Sequence, residues 1–184
     1  HLLRILWWRR ELLNLAISSR NHQQISLRSS YVSPELIGLI HSDGLLRLYP
    51  NGSVHFCFTN QEKALINRFV DLIHETFKCQ VNIRIDKRDG TMSAYPPSIV
   101  GRLIASRVGW KFKGYENPDL LPEEIPHYIR CLFDGDGTIY LYTGKSTIPT
   151  IRITFQYLKN AEYVQSLLNT LNIYSRICRE SRNN

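Results

Sequence analysis

The sequence has no long apolar run and no closely spaced cysteine pair. No stretch approaches the roughly 20 consecutive apolar residues that a membrane-spanning helix needs, so we expect no membrane partner. The cysteines are far apart and form no CxxC or Cys/His ligand spacing; they are Cys57, Cys79, Cys131 and Cys178. A structural zinc site is therefore not expected. Scattered thiols in mostly apolar surroundings indicate buried, reduced cysteines in a reducing compartment.

Positive charge is in excess. The chain of 184 residues has 23 lysines and arginines against 16 aspartates and glutamates, a formal net charge of +7. Its 43% content of apolar residues is typical of a globular protein. A cationic surface attracts polyanions, of which nucleic acid is the commonest inside cells. Nucleic acid is therefore an expected partner.

Two segments of the chain, residues 34–44 and 127–137, repeat one pattern. They can be superimposed so that their terminal Asp-Gly pairs coincide. Upstream of those pairs, apolar residues recur at helical spacing in both segments: Leu36, Leu39 and Ile40, and Ile129, Leu132 and Phe133. Each segment is predicted to be a short helix, preceded by proline and ended by a glycine able to adopt a left-handed conformation.

Matching strands and helices follow both segments. Period-two alternation predicts strands at 45–49 and 54–59 in the first half, and at 138–142 and 151–156 in the second, with the second turn at 143–149. Helices are predicted at 61–77 and 160–171, and the first half adds strands at 81–85 and 91–95 and a helix at 98–108. The predicted fold is α+β, with two pseudo-twofold α-β-β-α-β-β-α halves.

The same patterns divide the chain into four parts. Residues 1–30 are predicted to be an accessory amphipathic helical segment, with a transit segment as the alternative. The first half is 31–109, a linker rich in proline and glycine is 110–126, and the second half is 127–184. The second half stops before the strand and helix that close the first. Either the native chain is longer, or this hairpin partner is absent.

The two motifs carry a specific resemblance. LIGLIHSDG at 36–44 and IRCLFDGDG at 129–137 resemble the signature motifs of the LAGLIDADG homing endonucleases of the single-chain type. The resemblance implies that the two motif helices pack at the centre, beneath a saddle-shaped antiparallel sheet that holds DNA. Two departures stand out. His41 replaces a common acidic residue and is expected to face solvent, with a catalytic role as the alternative. Cys131 is larger than its counterpart Gly38, which predicts slightly looser helix packing.

The resemblance also implies a metal site. The last acidic residues of the motifs, Asp43 and Asp136, would bind Mg²⁺ together with the backbone carbonyls of Ser42 and Gly135; Mn²⁺ or Ca²⁺ could substitute for binding. Hydrolysis of a phosphodiester needs a hard cation to activate water, and Mg²⁺ prefers oxygen ligands. Two carboxylates from symmetric helices could share such ions and address one phosphate on each strand.

Polar groups around the scissile phosphates are a further feature of that family. By position the candidates in the first half are Asn60 and Gln61, at the end of the second strand. In the second half the corresponding place falls at 157–159. A lysine before the second motif is also common, which makes Lys111 and Lys113 candidates, with Lys113 counted among the expected catalytic residues.

Strand alternation assigns one face of the sheet to the helices and the other to DNA. Leu46, Leu48, Val54, Phe56, Phe58, Val81, Ile83 and Ile85 are expected to face the helices. The residues expected to contact DNA are Arg47, Tyr49, His55, Thr59, Asn82 and Arg84 in the first half, and Tyr140, Tyr142, Arg152, Thr154 and Gln156 in the second. Such a face suits the major groove. Lys87 and Arg88, in the hairpin, are better placed for phosphates.

The expected function is that of a monomeric, site-specific endonuclease acting on double-stranded DNA with a long recognition site. No protein-splicing block is evident, which favours an intron-encoded form in a prokaryotic cytoplasm or nucleoid, or in an organelle. The resemblance implies Mg²⁺-dependent hydrolysis of both strands across the minor groove, leaving short 3′ overhangs. Two alternatives remain on the same fold: an RNA-splicing maturase that binds intron RNA, and a DNA-binding regulator without catalysis.

Overall fold

A computed structural model describes residues 31–109, 117–143 and 147–179. In the first half it contains α1 (Pro34–Asp43), β1 (Gly44–Leu48), β2 (Val54–Asn60), α2 (Lys63–Phe77), β3 (Asn82–Ile85), β4 (Met92–Tyr95) and α3 (Ser98–Val108). The second half contains α4 (Ile125–Asp136), β5 (Gly137–Thr143), β6 (Thr147–Ile153) and α5 (Leu158–Thr170). The predicted α+β class and the order of these elements are confirmed. The accessory segment predicted for 1–30 lies outside the described residues.

The strands form two antiparallel sheets, one in each half. The first has the order β1-β2-β4-β3, and the second pairs β5 with β6. The turn between β1 and β2 contains Gly52 and the turn between β3 and β4 contains Gly90, with φ of 78° and 76° respectively. These values lie in the left-handed region, where a side chain is disfavoured. Within the described part of the second half, no strand corresponds to β3 or β4, and residues 173–179 lack regular secondary structure.

Helix α1 begins and ends for local reasons. Ser33 caps it by accepting a hydrogen bond from the Leu36 N–H at 3.3 Å, and Pro34 occupies the first turn, where no N–H is needed. Gly44 then continues as extended backbone, with φ −74° and ψ 145°, so the predicted left-handed ending is wrong. Glycine is required for a different reason: a Cβ there would lie 2.6 Å from the Ile40 carbonyl oxygen.

Helix α4 ends in the same way at Gly137, with φ −79° and ψ 146°. A Cβ at this position would collide with the carbonyl oxygen of Phe133. In both halves, therefore, the glycine after the motif aspartate lets the chain turn directly from the helix into the first strand. The strand keeps its backbone against the last turn of the helix, which a side chain would prevent.

A single apolar core joins the two halves. Helix α1 packs closely along α4, and the side chains of Leu36, Leu39 and Leu132 are almost fully buried between them and their sheets. In the first half, the rings of Phe58 on β2 and Phe69 on α2 stack with their centroids 4.8 Å apart. Burying this apolar surface is the main force that holds each sheet on its helices.

Several predicted boundaries shift. Helix α4 begins at Ile125, so Pro126 lies in its first turn and not in the linker. Strand β6 begins at Thr147 and ends at Ile153, so Pro149 belongs to a strand and not to a turn. Proline occurs in the first turn of a helix or in an edge strand as well as in a loop, so it does not by itself locate a linker or a turn.

Part of the apolar face predicted to lie under helices is exposed. Leu46, Phe56 and Phe58 are buried and Val54 and Val81 half-buried, as expected, whereas Leu48, Ile83 and Ile85 are exposed. The reason is that α2 and α3 pack mainly against β2 and β4. The outer strands therefore extend past the area that the helices cover. Period-two alternation assigns residues to a face of the sheet but does not show which part of that face a helix covers.

Side-chain contacts also connect the two halves at the start of the motif helices. The Tyr31 hydroxyl donates a hydrogen bond of 2.6 Å to Glu124 Oε1, which raises the pKa of Tyr31 to about 12. Glu35 on α1 pairs with Arg68 on α2, and His127 Nδ1 on α4 lies 3.5 Å from Glu35 Oε1. These contacts hold the beginning of α1 to the beginning of α4.

The four cysteines form no disulfide in the structure, and the prediction that they are buried is wrong for one of them. Cys57, Cys79 and Cys131 are buried, and Cys178 is exposed. Burial raises the pKa of the Cys131 thiol to about 11, with a further contribution from the nearby carboxylates of Glu35 and Asp134. None of the helices in the described ranges is long and apolar enough to cross a bilayer.

Candidate metal and nucleic-acid site

The carboxyl-terminal ends of α1 and α4 meet at the centre of the molecule. A Cβ built on Gly135 would lie 2.5 Å from the Cβ of Ser42 and 2.6 Å from Oδ2 of Asp43. The Asp43 carboxylate therefore lies against the backbone of the residue that precedes Asp136. Two aspartates distant in sequence are brought to adjacent helix ends, which is the arrangement that the paired motifs predicted.

The close approach depends on small residues that alternate between the two helices. Gly38 lies opposite Cys131, with a built Cβ 3.0 Å from the cysteine Cβ and 2.6 Å from the Tyr128 carbonyl oxygen. One turn further, the glycine is on the other helix, where Gly135 lies opposite Ser42. Gly38 leaves the space that Cys131 fills, so the two helices approach closely here despite the larger side chain.

Asn60 orients the first of the two carboxylates. Its Nδ2 donates a hydrogen bond of 2.9 Å to Asp43 Oδ2, and its Oδ1 accepts one of 2.7 Å from the Glu62 backbone N–H. The second bond fixes which end of the amide faces Asp43. Gln61, the neighbouring candidate, has an exposed side chain just beyond β2.

In the described part of the second half, the position equivalent to Asn60 does not carry an amide. In the first ladder Gly44 pairs with Phe58, and in the second Gly137 pairs with Ile153. Phe155 is therefore the counterpart of Asn60, and Gln156 that of Gln61. The sequence alignment that gave 157–159 as the corresponding place is wrong, because it placed the turn at 143–149 and began the second strand at 151, whereas β6 begins at Thr147. The surroundings of Asp43 and Asp136 are consequently different.

The donor atoms at the helix ends suit a hard divalent cation. Carboxylate and backbone carbonyl oxygens are the ligands that Mg²⁺, Mn²⁺ and Ca²⁺ prefer. The last carbonyls of a helix carry partial negative charge, and two helices end here together. Among the described residues no group of three His, Cys, Asp or Glu side chains could hold a metal ion. A cation here would therefore use Asp43 and Asp136 with backbone oxygens such as those of Ser42 and Gly135.

His41 is buried, not solvent-facing as predicted. Only 1% of its surface is exposed, and its Nδ1 lies 3.0 Å from the Tyr128 hydroxyl on α4. The Tyr128 ring in turn makes an edge contact with Tyr163 on α5. Asp134, at the equivalent position on α4, is exposed, and its Oδ2 lies 3.6 Å from Nε of Arg130. His41 thus joins the two halves inside the interface, on a helix face that the sequence pattern assigned to solvent.

The first sheet presents most of the predicted DNA contacts on one face. Arg47, Asn82 and Arg84 are exposed, and Tyr49, His55 and Thr59 are half-buried. The ladder also places Ser93 and Tyr95 on this face, since Ser93 pairs with Arg84 and Tyr95 with Asn82. The Ser93 hydroxyl lies 3.0 Å from that of Thr59. Sequence reasoning missed both residues, although alternation around buried Ala94 carried the signal.

The second sheet is described less completely. Arg152 lies on β6 with an exposed side chain, whereas Thr154 and Gln156 are exposed residues beyond the end of that strand. Tyr140 and Tyr142 lie on β5, paired with Thr150 and Ile148, but their side chains are outside what the structure describes. Lys111 and Lys113 also lie outside the described residues.

The hairpin between β3 and β4 has a partly neutralised charge. Lys87 is exposed, but Arg88 forms an ion pair with Asp86, with Nη2 2.6 Å from Oδ2 and Nε 3.1 Å from Oδ1. This guanidinium holds the pKa of Asp86 below its ordinary value. A phosphate contact by Arg88 would have to compete with this pair, whereas Lys87 has no such partner among the described residues.

Comparisons with known proteins agree with the fold and with the second motif. Residues 123–184 match the family described as LAGLIDADG-like domain. The structure is similar to that of I-DmoI in complex with DNA and Mn, with a TM-score of 0.53 at 18% identity over 84% of this chain and 85% of that one. No curated protein matches the chain in sequence.

Two other solved structures are similar over comparable lengths. I-SmaMI bound to uncleaveable DNA has a TM-score of 0.53, and the LAGLIDADG meganuclease I-AabMI bound to uncleaved DNA has one of 0.51. Both share 14% identity with the chain and cover 82% of it and 76% of their own length. The predicted resemblance is thus confirmed: residues 123–184 match the LAGLIDADG-like domain family in sequence, and the chain has the fold of the LAGLIDADG homing endonucleases.

Proposed function

We propose that the chain is a site-specific endonuclease that cuts double-stranded DNA with divalent metal ions held by Asp43 and Asp136. One observation carries the proposal: the space beside Gly135 is filled by Ser42 and the Asp43 carboxylate. That contact brings two anionic helix ends together beneath a basic sheet face. A cation bound between two adjacent helix ends that each carry a carboxylate would offset their repulsion, and this supports metal binding over a purely structural role.

The chemistry follows from the donor set. A bound Mg²⁺ would supply a water of lowered pKa and would stabilise the leaving oxygen. The chain's own residues would hold and orient the reacting groups. Asn60 keeps Oδ2 of Asp43 in place through its 2.9 Å hydrogen bond, and the close packing of α1 on α4 holds the end of one motif helix against the end of the other.

The sheet supports duplex DNA as the substrate. Its exposed face carries arginine and asparagine side chains that can hydrogen-bond to base edges in the major groove. I-DmoI, of the same fold, has been crystallised with DNA together with Mn or Ca. Because both halves are in one chain, we propose a monomer that needs no second copy to complete the site. We also propose Mg²⁺ as the working ion, an intron-encoded origin and a long target site.

Cleavage assays on the full chain test the proposal. The substrate is a plasmid library that carries randomised duplex inserts, together with the intronless allele of the host gene if the reading frame lies in an intron. We expect Mg²⁺-dependent linearisation at one sequence and its complete loss with EDTA. Asp43→Asn and Asp136→Asn should each abolish cleavage but retain binding to the selected duplex. Asp71→Asn, which changes an exposed carboxylate on α2, is the matched control and should cleave normally.

Each other outcome has a definite meaning. Cleavage that persists in Asp43→Asn and Asp136→Asn would show that the metal assignment is wrong. Specific binding with no cleavage in Mg²⁺ or Mn²⁺ would identify a DNA-binding regulator. Tighter binding to the intron RNA than to any duplex would instead identify a maturase.

A further inference from the structure

Five side chains form a continuous row across the exposed face of the first sheet. The guanidinium of Arg47 lies over the ring of Tyr49, 5.0 Å from its centroid. The Tyr49 ring stacks with His55 at 6.4 Å, and His55 stacks with Tyr95 at 6.2 Å. At the far end the guanidinium of Arg84 lies 5.2 Å from the centroid of the Tyr95 ring.

The row crosses the whole sheet. Arg47 is on β1, His55 on β2, Tyr95 on β4 and Arg84 on β3, which is the spatial order of the strands; Tyr49 follows β1. The three rings are half-buried and the two arginines at the ends are exposed. The row therefore joins two outer arginines through rings that are themselves packed on the sheet.

Neither terminal arginine has a counterion in the described part of the chain. No carboxylate there lies within ion-pair distance of Arg47 or Arg84. Arg68 and Arg88, by contrast, are held by Glu35 and Asp86. Stacking on a ring orients a guanidinium but does not use its N–H donors. The row thus presents two oriented cations whose hydrogen-bonding edges are available to a ligand.

We propose that Tyr49, His55 and Tyr95, here called the aromatic row, position Arg47 and Arg84 to read guanines in the major groove. The proposal rests on the proposed function, since it assumes that this face binds duplex DNA. An arginine loses much rotamer freedom when it binds, and a guanidinium already held over a ring loses less. Bidentate pairing with guanine also demands a fixed plane. The rings are positioning residues that act through the arginines.

The experiment uses the full-length chain in EDTA, so that binding is measured without cleavage. A randomised duplex library is selected first, and the enriched duplex and its single base-pair substitutions are then titrated by fluorescence anisotropy. Tyr95→Leu removes the ring and keeps apolar bulk. Tyr95→Phe keeps the ring and removes a hydroxyl that has no hydrogen bond to the described residues. Arg84→Ala removes the positioned cation, and Arg107→Ala removes an exposed cation on α3 as a control for charge.

We expect Tyr95→Leu to weaken binding about two- to fivefold, the range of a single cation–π contact. Tyr95→Leu should also lose the preference for the selected base pair at the position where Arg84→Ala loses it. A general loosening of the sheet would not remove the preference at this one position. Tyr95→Phe and Arg107→Ala should retain that discrimination. The double variant that combines Tyr95→Leu with Arg84→Ala should bind no more weakly than Arg84→Ala alone, because the ring acts through the arginine.

The proposal is overturned if Tyr95→Leu folds and discriminates as the wild type does, or if Tyr95→Phe loses as much as Tyr95→Leu. If Tyr95→Leu fails to fold, Tyr49→Leu paired with Arg47→Ala applies the same test at the other end of the row. Failure of the two proposals is distinguishable. A library with no enriched duplex overturns both, whereas enrichment with an unchanged response to these substitutions overturns the aromatic row alone.

Discussion

Substitution of Gly135 by alanine tests the close approach of the two motif helices. The new Cβ would lie 2.5 Å from Ser42 Cβ and 2.6 Å from Asp43 Oδ2, where ordinary contacts lie at 3.4–4 Å. The helices would have to separate by about 1 Å at the site, and overpacking of this kind costs about 1–3 kcal/mol. Alanine gains about 1 kcal/mol over glycine in helix propensity. Because Ser42 Cβ is attached directly to backbone and cannot rotate away, we expect a clash at the upper end of this range, about 3 kcal/mol, which leaves a net loss of about 2 kcal/mol.

Urea unfolding followed by circular dichroism measures this loss. A decrease of that size should lower the melting temperature of a chain of this length by about 4–8 °C. Adding Ser42→Gly removes the Cβ and the hydroxyl in the way, and leaves the Asp43 carboxylate, which can rotate. The double variant should therefore be more stable than the sum of the two single changes predicts, by about 1–3 kcal/mol.

A second pair of substitutions serves as the control. Gly38→Ala meets the Tyr128 backbone oxygen at 2.6 Å as well as Cys131. Since Cys131→Gly cannot move a carbonyl, it should rescue Gly38→Ala much less than Ser42→Gly rescues Gly135→Ala. If Gly135→Ala were neutral or stabilising, or if its effect simply added to that of Ser42→Gly, the helix ends would not be in contact and the shared metal site would lose its basis.

Three other predictions follow from the site and the surface. Asn60→Ala removes the hydrogen bond to Asp43. We expect the rate of single-turnover cleavage to fall about 10- to 100-fold while the affinity for DNA stays unchanged. An unchanged rate would show that this bond does not contribute to cleavage. The thiolate is the reactive form of cysteine, so iodoacetamide at about pH 8 should label exposed Cys178, whereas Cys131, whose pKa burial raises to about 11, should be labelled only in urea. Mass spectrometry that finds native Cys131 labelled would contradict its burial. Affinity for duplex DNA should fall steeply as the salt concentration rises from about 50 to 200 mM, because phosphate contacts are driven by the release of counterions. The affinity is measured by anisotropy titration at each salt concentration. An affinity that does not change with salt would show that the sheet does not contact the DNA backbone.

Local patterns determined the parts of the fold that depend on near neighbours. Helical spacing of apolar residues located α1 and α4, and period-two alternation located the strands that follow them. The two Asp-Gly endings, set after equivalent helices, predicted that Asp43 and Asp136 would meet, and the contact between Gly135 and Asp43 agrees. These features are readable because backbone hydrogen bonding and the burial of one face impose a fixed period on the chain.

Tertiary structure alone decided what depends on the packing of distant segments. His41 is buried because Tyr128 and α4 cover the face of α1 that the pattern assigned to solvent. Phe155, not a polar residue, corresponds to Asn60 because the ladder register depends on how long each hairpin turn is. Tyr95 joins Arg84 to His55 because β4 lies between β2 and β3. Strand order, register and the cover of a helix face are long-range choices, set by which surfaces pack together once the chain has folded, and no local period encodes them.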